Sequence, residues 1–186
     1  MSLINTLVDG SVKTSKVEPN SEDFITIQMA SSILESHATQ SKYLGVEYQE
    51  AIKPLKNIDR LLVALSDSPD NCCKQLLLTL LRLLLNITND HSILCEHFAT
   101  PDLIKSFVRI VLSSFGTATV DFIGENKDSL DTVILTLGAL INLTEENETS
   151  RKIIFTSELH KQTLLVHLIG LLSDKFDTMS EVGLSK

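Results

Sequence analysis

Apolar residues recur along most of this chain at the three- and four-residue spacing of helices that bury one face. Phe24, Ile27, Ala30 and Leu34 fall on one face and predict a helix with Ser21 as its N-cap. A second helix is expected over Ser41 to Gln49, and a third opening at Pro54 with Leu55, Ile58, Leu62 and Leu65 inward. The "SPD" at Ser68 to Asp70 is a start signal: a capping hydroxyl, a proline with a pre-set φ, and a carboxylate at the positive end of the helix dipole. The helix it opens, about 69 to 88, is apolar almost all round and should lie between neighbours. The same signal returns as "TPD" at Thr100 to Asp102, ahead of Leu103, Ile104, Phe107, Val108, Val111 and Leu112.

Residues 113 to 129, with two glycines, read as a loop. A helix is expected from about 129 to 144 with Val133, Ile134, Leu137, Leu140 and Ile141 inward, a short one near 147 to 155, and a longer one from about 158 to 172. The pattern divides the chain into a flexible segment over 1–21, a helical domain over 22–173, and a tail over 174–186 that would continue into further helices in a longer protein.

Two stretches echo each other: "LLRLLLNITND" at 80 to 90 and "LGALINLTEEN" at 137 to 147. Aligning Asn86 with Asn142 gives an offset of 142 − 86 = 56 residues. Long buried helix, turn, short helix and second long helix form the unit of an armadillo/HEAT-like helical-repeat solenoid, so the fold class is all-α. The offset exceeds the usual repeat of about 40 to 47 residues, an excess the 113 to 129 loop accounts for. A polar amide at the end of a buried helix needs a hydrogen-bonding partner. Asn86 and Asn142 are therefore expected to bond the backbone of an adjoining repeat.

Composition agrees. Hydrophobic residues make up 43% of the 186 residues, aromatics 5% and Trp is absent, while 7 Gly and 4 Pro leave little punctuation for a many-stranded sandwich. The formal charge of −8 argues against nucleic acid as a direct partner. The N-terminal "MSLINTLVDG" has neither the basic start nor the apolar stretch of a signal or anchor, and Leu76 to Ile87, interrupted by Thr79, Arg82 and Asn86, is too short to span a bilayer. The expectation is a soluble, intracellular chain without a membrane partner.

Candidate chemistry is sparse. Three Asn-x-Ser/Thr sequons, at Asn86, Asn142 and Asn147, lie mostly within apolar helices and read as structural. His91, Cys95 and His97 are close, but a zinc site needs a fourth ligand, from Cys72 or Cys73; buried cysteines beside surface histidines explain the cluster more simply. Phosphate loops, HExxH and nucleophile elbows are absent, so neither enzyme, cofactor nor small-molecule substrate is expected. Charge, however, is uneven. Asp121, Glu125, Asp128, Asp131, Glu145, Glu146 and Glu148 face Lys127 alone between 121 and 150, giving 1 − 7 = −6. Such a run is either a solvated face or a surface for a lysine-rich partner; Asp90, Asp128, Asp131, Glu145, Glu146 and Glu148 are the candidate binding residues.

The paired stretches resemble the signatures of the WAPL (wings apart-like) family, whose "LLNLTND"-like helix precedes an "LGLGLLINLVE"-like helix by a comparable distance. "SSILESHATQSKYLGVEY" at 31 to 48 looks like that family's "LES…NQSYL" stretch. The similarity covers about 25 to 155, with Asn86, Thr88, Asn89, Asp90, Asn142 and Glu145 on motif positions, and corresponds to part of the family's C-terminal helical domain. The resemblance implies a nuclear, non-catalytic regulator that promotes cohesin release from chromatin. Its implied partners are the SMC ATPase head, the kleisin and a HEAT-repeat accessory subunit. The other reading is an armadillo adaptor for transport or exchange factors, unrelated to cohesin.

Overall fold

The computed structural model describes residues 21–40, 58–89, 92–116, 127–145, 147–159 and 161–170. The expected helices at 41–49 and at Pro54 and Leu55, the N-terminal segment and the C-terminal tail lie outside them.

The described chain is built from helices: α1 (Glu22–Gln40), α2 (Ile58–Ser66), α3 (Asn71–Thr88), α4 (Ser92–Phe98), α5 (Pro101–Gly116), α6 (Lys127–Glu145) and α7 (Glu148–Thr156). A two-residue-per-strand hairpin, β1 (Glu158–Leu159) and β2 (Gln162–Thr163), leads into α8 at 164–170. The fold is an all-α helical repeat.

α3 is the axis of the packing. It lies between α1 and α6, while α2 and α5 pack together behind it and α5 also packs on α6. Its sequence explains this: Leu76, Leu81 and Leu84 are wholly buried, as are Cys73 and Ile87, and Leu77, Leu78 and Leu80 are nearly so. A helix apolar on several faces is stable in water only when surrounded. The core extends through Leu61, Leu62 and Leu65 of α2 and Ile104, Phe107 and Val108 of α5.

The 56-residue offset recovers the element boundaries. Residues 71 to 88 displaced by 56 give 127 to 144, against α6 at 127–145; residues 92 to 98 give 148 to 154, against α7 at 148–156. Corner hydrogen bonds repeat as well. Thr88 Oγ1 donates to Leu84 O (2.8 Å), and its equivalent Thr144 Oγ1 donates to Leu140 O (2.9 Å). Cys95 Sγ donates to Thr88 O (2.9 Å), and Arg151, 95 + 56, donates from Nη1 to Thr144 O (2.7 Å).

Four expectations change. At "SPD" the cap is Asp70, whose carboxylate accepts from Cys72 N at 2.7 Å, so α3 opens at Asn71. Ser68 Oγ instead accepts from Asp70 N (3.3 Å), holding the turn before the helix. A carboxylate is the stronger acceptor for helix N–H groups, and it takes the cap. "TPD" behaves as read: Thr100 Oγ1 accepts from Leu103 N (3.3 Å), with Pro101 at the first helical position. Part of the stretch expected as a loop is helix, because α5 persists to Gly116 and α6 starts at Lys127; residues 117–126 lie outside the described residues.

The helix expected from 158 begins instead at 164. Lys161 adopts φ 69°, which closes the hairpin, and Thr163 Oγ1 accepts from Val166 N (3.4 Å) as the new cap. Finally, Val133 and Leu140 are buried in α6, but Ile134 and Ile141 are 56% and 61% exposed. The inward face of α6 is completed by Thr132, Thr136, Ala139 and Leu143. Thr132 and Thr136 are buried without cost because their hydroxyls donate to Asp128 O and Thr132 O within the helix.

A candidate protein-interaction surface

The residues at the α3–α6 junction define how the repeats join. Asn142, on the last turns of α6, donates from Nδ2 to Leu85 O (3.1 Å) and Thr88 Oγ1 (3.3 Å) on α3. Gly138, one turn earlier, leaves room for the Leu85 side chain: a Cβ there would lie 3.0 Å from Leu85 Cδ1. Cys95 of α4 closes the corner, its thiol also lying 3.7 Å from Asn142 O. Asn86 is half-buried at the equivalent place on α3.

The acidic candidates separate into two groups. Asp128 and Asp131 are half-buried at the start of α6; Glu145 ends α6 and Glu148 starts α7, both exposed. At a rise of about 1.5 Å per residue the two groups lie about 25 Å apart along the helix. Asp90 and Glu146 fall outside the described residues. Among the described residues the acidic candidates therefore fall at the two ends of α6, with Glu148 across the corner on α7. Arg151 sits in the second, its guanidinium donating to Thr144 O and Glu145 O (2.8 Å) and capping the C-terminus of α6. Asn147 caps α7 by accepting from Ser150 N (3.0 Å), which gives that sequon a structural role.

Between α2 and α5 a shallow groove is lined by Asp59, Arg60, Asp102, Lys105 and Arg109. Arg109 Nη2 donates to Asp67 Oδ2 at 2.8 Å. The lining carries three cations and two carboxylates, and Asp67, outside the lining, pairs with Arg109, which leaves the groove without a preferred ion sign.

Among the described residues the cysteine–histidine cluster does not gather. Cys95 is buried against Thr88 O, His97 is exposed with its ring edge-on to Phe98 (centroids 5.1 Å apart), and His91 lies outside the described residues. Among the described residues no group of three or more metal-ligating side chains gathers. Nor is any described helix long and apolar enough to cross a membrane. Burial pushes the Cys73 thiol above its usual range, opposed by a hydrogen bond from Ser68.

Sequence reasoning missed the exposed Ile134 and Ile141, and with them Thr144. The 56-residue offset, 134 − 56 = 78 and 141 − 56 = 85, maps them onto Leu78, which is buried, and Leu85, which meets Gly138 at the α3–α6 junction.

No curated protein and no solved structure matches this chain. The family described as "Wings apart-like protein regulation of heterochromatin" matches residues 1–150, most of the sequence and every element through the start of α7. With the helical repeat and the two stretches that carry its junction inside that span, the chain belongs to the WAPL family.

Proposed function

We propose that this chain is a non-catalytic interaction scaffold that regulates cohesin in the nucleus. It promotes release from chromatin at the SMC ATPase head and kleisin gate, together with a HEAT-repeat accessory subunit. The family match over residues 1–150 is the observation that carries this reading. The chemistry is compatible with it. Exposed Glu145 and Glu148, with Glu146 between them in sequence, form a carboxylate ridge at the α6–α7 corner. Such a ridge attracts lysines of a partner, and its attraction falls with ionic strength.

The test is a pull-down of purified chain against individual cohesin subunits, at low and physiological salt. Binding to the head, the kleisin or the accessory subunit is expected. Replacing Glu145, Glu146 and Glu148 together by lysine should weaken it about tenfold or more and flatten its salt dependence. Unchanged affinity at low salt removes the acidic ridge from the interface. Enrichment of transport or exchange factors alone would replace the cohesin reading with the adaptor one.

A further inference from the structure

We infer that Arg151 sets which partner the α6–α7 corner accepts: a segment of another protein in which one aspartate or glutamate lies among lysines or arginines, with an apolar residue close by. The inference deepens the acidic-ridge reading above and rests on it. It starts from a surplus of hydrogen-bond donors. A guanidinium carries five N–H groups. Arg151 uses the two on Nη1, which donate to Thr144 O at 2.7 Å and Glu145 O at 2.8 Å. At the equivalent corner the Cys95 thiol closes on Thr88 O with a single donor. One donor therefore suffices for a corner of this kind, and the arginine keeps Nε and Nη2 in reserve.

Nε and Nη2 share one edge of the guanidinium plane, the edge that a carboxylate engages bidentately. Among the described residues nothing occupies that edge. Glu148 stands three residues earlier on α7, a spacing that permits an ion pair. Arg151 is engaged with the two carbonyls instead, so the Glu148 carboxylate and the arginine fork are both open, and both residues are exposed. Phe155, four residues further on, is 60% exposed. Glu148, Arg151 and Phe155 thus follow one another along one face of α7, and each matches a different group: a cation, a carboxylate and an apolar side chain. Arginine and aromatic residues are the types that anchor protein interfaces. Because Nη1 is already fastened, the fork is oriented before a partner arrives, which lowers the cost of ordering it. Glu145 and Glu148 select the anion. They repel a purely acidic segment or a phosphate dianion, whereas a single carboxylate among lysines satisfies the fork and the ridge together.

The test uses the full chain and the capped palindromic peptide Lys-Leu-Lys-Glu-Lys-Leu-Lys, which offers the three groups in either direction. Titration followed by NMR should saturate and shift the Arg151 Nε–H signal. The same peptide with glutamine at its centre should bind about fivefold more weakly, the scale of a well-formed exposed ion pair, and leave that signal in place. Arg151→Lys keeps the charge and removes the fork, so the two peptides should then bind alike; circular dichroism checks its fold. Phe155→Ala should weaken both peptides about threefold. Glu145→Gln combined with Glu148→Gln should also weaken both, which tests the ridge separately. Equal binding of the two peptides to the unaltered chain, or a preference that survives Arg151→Lys, overturns the inference and leaves the ridge standing. Unchanged affinity for both peptides in the double glutamine variant overturns the ridge, and absence of binding by either peptide overturns both. A phosphoserine-centred peptide that binds more tightly than the glutamate one overturns the carboxylate assignment.

Discussion

Asn142 gives its amide to two acceptors that already hold bonds within their own helix: Leu85 O accepts from Asn89 N (3.1 Å), and the Thr88 hydroxyl donates to Leu84 O. Removing the amide therefore orphans little on α3. Asn142→Leu should cost only about 1 kcal/mol, the net worth of an ordinary hydrogen bond. Asn142→Asp is the harsher change, because it sets a carboxylate against a carbonyl in a half-buried site. A loss of about 2–3 kcal/mol is expected, and urea denaturation of both variants checks the order. Ser150 supplies the opposite case. Its side chain is wholly buried in α7 and its hydroxyl has no partner among the described residues, so Ser150→Ala should leave the urea midpoint unchanged or raise it. A midpoint lowered by more than a few tenths of a molar would mean the hydroxyl is satisfied after all.

At the scale of the element, helix starts were legible where side-chain chemistry marks them locally. Asp70, Thr100 and Ser21 all cap, the last by accepting from Phe24 N at 3.2 Å. Competition between neighbouring caps was less legible, since Ser68 and Asp70 both qualify and only geometry decides. Asp70→Ala should then destabilise by about 1 kcal/mol and Ser68→Ala by less, measured as shifts in thermal midpoint. The inward face of α6 misled because periodicity counts apolar residues. A helix touching neighbours on one side only can bury threonine and alanine and leave isoleucine outside. The hairpin before α8 was hidden for a different reason: it turns on the left-handed φ of Lys161, a conformation that a lysine in sequence does not announce. Cys73 gives this scale a pH dependence. Its thiol holds its proton more tightly folded than unfolded. The contribution is fully present below the ordinary thiol pKa of about 8.5 and is lost as pH rises through the folded value. Stability should fall across that alkaline window, and Cys73→Ala should flatten the slope.

For the whole molecule, the solenoid was legible from one pair of matching stretches, because a repeated junction needs repeated residues. The two acidic groups were not, because Asp128, Asp131 and Glu145, close in sequence, are spread along the length of α6. Since α3 touches both flanking helices and the row behind, a cavity in it should weaken every layer together. Leu81→Ala is expected to cost about 2–5 kcal/mol, with loss of helicity and exposure of the Cys95 thiol following one transition. Separate transitions would mean that the repeats melt independently.

The equivalence of Cys95 and Arg151 gives the two corners unlike mechanical characters. One is fastened by a thiol packed out of water, the other by a cation whose grip on two carbonyls is shared with solvent. A scaffold of this kind bends like a rod with one stiff joint and one compliant joint. Hydrogen exchange should find amides of the α6–α7 corner opening before those of the α3–α4 corner, and added salt should widen the gap. Any partner that grips α6 would then meet the part of the rod most able to change its angle.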